Sequence, residues 1–162
     1  MNRVRPRLLF GFVVLVQLSS GLHGQSLQVV DPEGHTVTLT AAQIATAPRT
    51  TVNVTDHDKP ATYQGVALAA LLAAAGMPLT DKMKGPQLIE ALLFEASDGY
   101  KVVFALAEID PAFATREIIL ADTRDGKLLD TKVGPFRVIA LGDKRGARWI
   151  RQVATMKIVE VK

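Results

Sequence analysis

From Val66 to Ala75 the chain offers ten consecutive residues drawn only from valine, alanine and leucine. Gly76 follows, and Pro78 two residues later. A helix of that composition has no polar side, so the segment predicts a helix buried on most of its faces, around which the other elements must pack. Gly76 supplies the C-terminal cap and Pro78 prevents continuation. With 48% hydrophobic residues and no cysteine, the core must be held by packing alone, and the chain has no thiol chemistry to offer.

The segments around this helix read mainly as strands. Leu27 to Val30 and Thr36 to Leu39 alternate about Asp31-Pro32-Glu33-Gly34, a hairpin pattern. Thr40 and Gln43 fit a capping box opening a short helix that must stop by Ala47, because Pro48 follows. Thr50 to Thr55 is rich in β-branched residues and predicts a strand. Ala91 to Ala96 and Tyr100 to Ala105 flank Ser97-Asp98-Gly99, a second hairpin. Glu117 to Ala121 predicts a strand before a turn at Asp125-Gly126. Phe136 to Leu141, apolar except for Arg137, predicts a central strand, and Val153 to Val161 a last one. Many strands with few short helices in irregular order indicate an α+β domain, mostly β.

The first 24 residues have a different character. Arg3, Arg5 and Arg7 precede an apolar run, Leu8 to Leu18, and then small or polar residues up to Gly24. That order predicts a secretory signal peptide over residues 1–24 and a single domain over 25–162, periplasmic or secreted, with no membrane span after cleavage. The apolar run is shorter than the ~20 residues a span requires. The segment's three arginines account for the whole formal charge of +3. The remaining chain is electrically balanced, and nucleic acid is not an expected partner.

Few side chains suggest chemistry. Ser97 sits in a turn with no nucleophile-elbow pattern, and there is no Gly-rich phosphate loop. Glu108 and Asp110 precede Pro111 and fit capping of a turn. His57, in Asp56-His57-Asp58, has carboxylates that can tune it, although the same residues also make an ordinary polar turn. The densest cationic stretch runs from Gly134-Pro135-Phe136-Arg137 through Lys144-Arg145-Gly146-Ala147-Arg148-Trp149-Ile150-Arg151 and contains the only tryptophan. If Lys144 to Arg151 forms a helical turn, Arg145, Arg148 and Arg151 fall near one face. Guanidinium groups so placed would hold phosphate or carboxylate. The expectation is that Arg137, Arg148 and Arg151 converge without an acidic partner. The competing reading is a solvated charged loop anchored by Trp149.

Taken in order, Tyr63-Gln64-Gly65-Val66, Asp98-Gly99-Tyr100, Leu120-Ala121, Asp125-Gly126-Lys127-Leu128-Leu129, Gly134-Pro135-Phe136-Arg137 and Gly146-Ala147-Arg148-Trp149-Ile150-Arg151 resemble the sulfite-oxidase-type molybdopterin-binding domain family. The resemblance implies that family's fold, a strand-rich α+β domain with mixed sheets. It also implies a pterin phosphate site at or near Arg137, Arg148 and Arg151, to which His57 is added as a further cofactor-binding candidate. Molybdopterin enters only through this resemblance. The family holds molybdenum through a cysteine shortly before the Tyr-x-Gly-Val stretch. Here that region reads Thr51-Val52-Asn53-Val54-Thr55-Asp56-His57, so no soft thiolate is on offer. The family's exported enzymes tend to carry a twin-arginine signal, and residues 3–7 contain no adjacent arginine pair. The expected function is an exported, non-catalytic module binding a small anionic or pterin-like ligand, or a partner protein. The alternative is a molybdopterin-dependent oxidoreductase in which His57 or a water completes the metal shell.

Overall fold

The computed structural model describes residues 25–79 and 83–160, without the side chain of Pro86. The predicted signal peptide and the end of the last predicted strand at Val161 lie outside the described residues. Ten strands and three short helices follow one another. They are β1 (Ser26–Val30), β2 (Thr36–Thr40), α1 (Ala41–Thr46), β3 (Arg49–Asp56), β4 (Lys59–Ala67), α2 (Leu68–Ala74), β5 (Glu90–Ala96), β6 (Lys101–Ala105), α3 (Leu106–Ile109), β7 (Ile118–Arg124), β8 (Lys127–Leu128), β9 (Arg137–Ala140) and β10 (Val153–Glu160). Two 3-10 turns, Gly85–Ile89 and Gly146–Arg148, complete the order. The class is α+β, mostly β.

The strands form two five-stranded sheets. One has the order β2-β1-β10-β5-β6 and is mixed, because β1 and β10 run parallel. The other runs β3-β4-β7, with β8 and β9 both pairing β7, and is antiparallel throughout. Alternation marks most of the strands, β7 and β9 being buried in unbroken runs. In β5 the residues Leu92, Phe94 and Ala96 turn inward while Leu93 and Glu95 stay partly exposed. Phe94 meets Phe104 of β6 edge to face at 5.9 Å, a favoured aromatic geometry. Both sheets contribute to one apolar core that includes Leu27, Tyr63, Phe94, Leu120, Val138 and Met156.

Three sequence expectations need correction. The apolar run does not turn helical at Val66, because Val66 and Ala67 end β4, paired with Leu120 and Ile119 of β7. Helix α2 is therefore only seven residues long, and it buries one side through Leu68, Leu71 and Leu72 while Ala73 and Ala74 are exposed. Sheet pairing of a β-branched residue outweighs helix propensity there. Second, β9 is fully buried but not central. Among the described residues it pairs with β7 alone, and beyond it lies irregular chain, with the Val138 amide donating to the Ile150 carbonyl at 2.8 Å. The strand at the middle of a sheet is instead the C-terminal β10. Third, strand β4 was not expected before Val66.

Glycine is obligatory at position 65. A Cβ there would lie 2.1 Å from the Leu120 carbonyl oxygen, so β4 approaches β7 at a distance no side chain allows. The ladder shifts register beside it, between Gln64 and Gly65, as a bulge does. This close crossing sets Tyr63 inside the core at 0% exposure.

Candidate functional site

The site is assembled around the tip of the β3–β4 hairpin. Asp56 pairs with Lys59, leaving His57 and Asp58 as a two-residue loop, with φ of 51° and 62°. Left-handed backbone at both positions is what a type I′ hairpin turn requires, and His and Asp tolerate it better than most residues. The twist folds the His57 ring over the strand end, and Nδ1 lies 2.8 Å from Asp56 Oδ1.

Asp56 is the hub. It is only 4% exposed. Its Oδ2 accepts from the Tyr63 hydroxyl at 2.7 Å, from Arg137 at 3.0 Å and from Arg124 at 3.1 Å. Burial pushes this carboxyl upward. The hydrogen bonds from Tyr63 and Arg137, the Arg137 charge and His57 together outweigh that and hold it down at about 2. Tyr63 moves the other way, to about 12, because it is buried and donates to an anion. Arg137 also donates to the Tyr63 oxygen at 2.6 Å, and its guanidinium lies 5.5 Å from the Tyr63 ring centroid and 5.8 Å from that of Trp149. A carboxylate ionised at neutral pH can only accept, so His57 Nδ1 is the donor in this contact.

Segment 141–151 folds back beside this hairpin. Trp149 is buried, and its indole N–H donates to the Ala140 carbonyl at 3.1 Å. The Tyr100 hydroxyl reaches across to the Ala147 carbonyl at 3.0 Å. Between these parts lies a cavity of about 260 Å³ lined by His57, Asp98, Tyr100, Arg137, Trp149 and Arg151, together with Gly146, Ala147 and Ile150. A larger groove of about 870 Å³ adjoins it at His57, between Asn53–Asp58 and Leu141–Ala147.

Three of the four sequence candidates, His57, Arg137 and Arg151, share the smaller cavity. Arg148 does not join them. Its guanidinium lies 4.5 Å from the Phe104 ring centroid, and it donates to Asp143 at 2.7 and 3.0 Å and to Glu108 at 3.4 Å. Arg116 binds the same two carboxylates. The expectation of arginines converging without acidic partners is therefore corrected. Asp56 neutralises Arg137, Asp143 neutralises Arg148, and none of the ion pairs among the described residues includes Arg151. The helical turn is also shorter than supposed, covering only Gly146–Arg148, so Arg151 lies beyond it, after the buried Trp149 and Ile150.

Sequence reasoning treated Asp56 only as a neighbour tuning His57, and gave Tyr63 and Arg124 no role in the site. The partners of Asp56 lie up to 81 positions away in the chain, and no local pattern marks them. Glu108 and Asp110 behave as caps, the first accepting from the Ala105 amide and the second from that of Ala112. A second polar group, Asp31, Glu33 and His35, lies in the β1–β2 turn. His35 Nδ1 is already bonded there to Asp31 at 2.8 Å, so the cluster is satisfied internally.

No family model matches this sequence, and no curated protein does. Among solved structures, the chain is similar to the sulfane dehydrogenase SoxCD from Paracoccus pantotrophus. The TM-score is 0.65 at 18% identity, over 87% of this chain. This chain spans 39% of the length of that one. At that identity the likeness speaks for the fold alone.

Proposed function

We propose that this protein is an exported module that binds a small anionic ligand, with a planar, pterin-like group among the candidates, and that it carries out no metal-centred reaction. The observation that carries the reading is the cavity of about 260 Å³ whose lining includes Arg151, unpaired among the described residues, together with Arg137 and His57. An anion there meets the Arg151 guanidinium, with Asp98 the one carboxylate of the lining, beside the hydrogen-bonded Asp56–Tyr63–Arg137 network. The fold shared with the sulfane dehydrogenase and the motif resemblance support descent from the sulfite-oxidase-type molybdopterin-binding domain.

A molybdenum–thiolate centre does not fit this donor set. The chain has no cysteine. The carboxylate nearest the family's ligand position, Asp56, has both oxygens engaged by Tyr63, Arg124, Arg137 and His57. The organic part of the cofactor asks only for a cleft and an anion site. The test is thermal melting in phosphate, sulfate or a pterin phosphate against chloride of equal ionic strength. At a concentration 100 times the dissociation constant, the ligand stabilises by about 2.7 kcal/mol. Arg151→Ala removes the extra stabilisation while keeping the baseline melting temperature. Equal responses of wild type and variant would defeat the proposal, and equimolar molybdenum in purified protein would favour the oxidoreductase alternative.

A further inference from the structure

The larger groove has features that a small ligand does not require. One bank is a sheet edge, since β3 ends the order β3-β4-β7 and, among the described residues, pairs with β4 alone. The direction of its backbone groups follows from the hairpin. In a two-residue type I′ hairpin the closing pair, here Asp56–Lys59, is hydrogen-bonded, and bonded and non-bonded pairs then alternate. The β3–β4 register is uninterrupted, so Val54–Ala61 and Val52–Tyr63 are bonded pairs, while Thr55–Pro60 and Asn53–Thr62 are not. Proline at position 60 agrees, because that position needs no amide toward β3. The N–H and C=O groups of Asn53 and Thr55 therefore turn outward. No backbone hydrogen bond outside the ladders engages them among the described residues, and both residues line the groove.

The opposite bank is Leu141–Ala147. Its acid, Asp143, is neutralised by Arg116 and Arg148. Its two exposed cations, Lys144 and Arg145, enter none of the ion pairs among the described residues. A strand edge with outward amides and carbonyls, ending at the exposed Asp58, faces a bank whose unpaired charges, Lys144 and Arg145, are positive.

We propose that this groove binds an extended, acidic peptide segment, which adds to β3 as a further strand through the main chain of Asn53 and Thr55 and sets its carboxylates against Lys144 and Arg145. Main-chain pairing supplies affinity in this mode, and side chains supply selectivity. The occupant is a peptide rather than a free anion because a free anion has no use for the outward carbonyls. The inference does not depend on the small-ligand reading, which concerns the adjoining cavity.

The probe is a fluorescein-labelled hexapeptide of alternating valine and threonine in which two threonines are replaced by glutamate, compared with its glutamine counterpart. Expected are about tenfold tighter binding of the acidic peptide and a loss of that advantage in Lys144→Glu/Arg145→Glu. The control reversal Lys127→Glu/Lys132→Glu, outside the groove, should leave it intact. On saturation of the wild type with acidic peptide, amide exchange at Asn53 and Thr55 should slow by about tenfold. The proposal is overturned if the acidic peptide does not bind, if both peptides bind alike, if the two charge reversals act alike, or if exchange at Asn53 and Thr55 is unchanged.

Discussion

Replacing Asp56 by asparagine tests the centre of the site most severely. The carboxylate is 4% exposed and balances two guanidinium groups, Arg137 at 3.0 Å and Arg124 at 3.1 Å. Breaking a buried pair by removing one partner costs about 3–5 kcal/mol, because the remaining charge is left uncompensated. The pH dependence gives a second, independent magnitude. A carboxyl whose pKa falls from 3.8 to about 2 on folding contributes about 2 kcal/mol of stability. The group is depressed in the folded state, so its contribution is fully present above about pH 4 and is lost as the pH falls toward about 2. Urea unfolding of wild type and Asp56→Asn at a series of pH values measures both. The stability difference should be largest at neutral pH and shrink by about 2 kcal/mol between pH 4 and 2. A variant within about 1 kcal/mol of wild type at pH 7, or a difference independent of pH in that window, would refute the assignment of Asp56 as the ionised hub.

Other outcomes follow from packing. Gly65→Ala places a Cβ 2.1 Å from backbone and should cost about 3 kcal/mol or more in chemical denaturation. Leu71→Ala, at a fully buried position, should cost about 2–5 kcal/mol, whereas Ala73→Ser on the exposed side of the same helix should change stability by less than about 0.5 kcal/mol. Arg148→Ala should lower the melting temperature through loss of its Phe104 stack and Asp143 bonds, yet leave any phosphate-dependent stabilisation intact. N-terminal sequencing of protein from the envelope fraction should find a first residue between Leu22 and Leu27, and Met1 retained on cytosolic protein would contradict export.

Much of the strand framework was legible because alternation and turn residues act locally. The first hairpin, the Thr40–Gln43 capping box and the β5–β6 hairpin all form within a few residues of their signals. Strand β4 was hidden because its apolar end merges with the helix, and the choice between them is made by β7, over fifty residues downstream in the chain. His57, Arg137 and Arg151 could be picked as candidates by residue type and neighbourhood. Asp143, five residues before Arg148, is a local partner that the sequence does offer, whereas Phe104 and Glu108 reach Arg148 only through the packing of β6 and α3. Which arginine remains uncommitted is a property of tertiary charge pairing, and composition does not reveal it.

The most direct measurement is a phosphate titration followed in amide correlation spectra of the purified protein. The account predicts saturable shifts confined to His57, Asp98, Tyr100 and residues 146–151, and their disappearance in Arg151→Ala. Shifts spread over surface lysines, or an unchanged response in that variant, would contradict the claim that this cavity is an anion site.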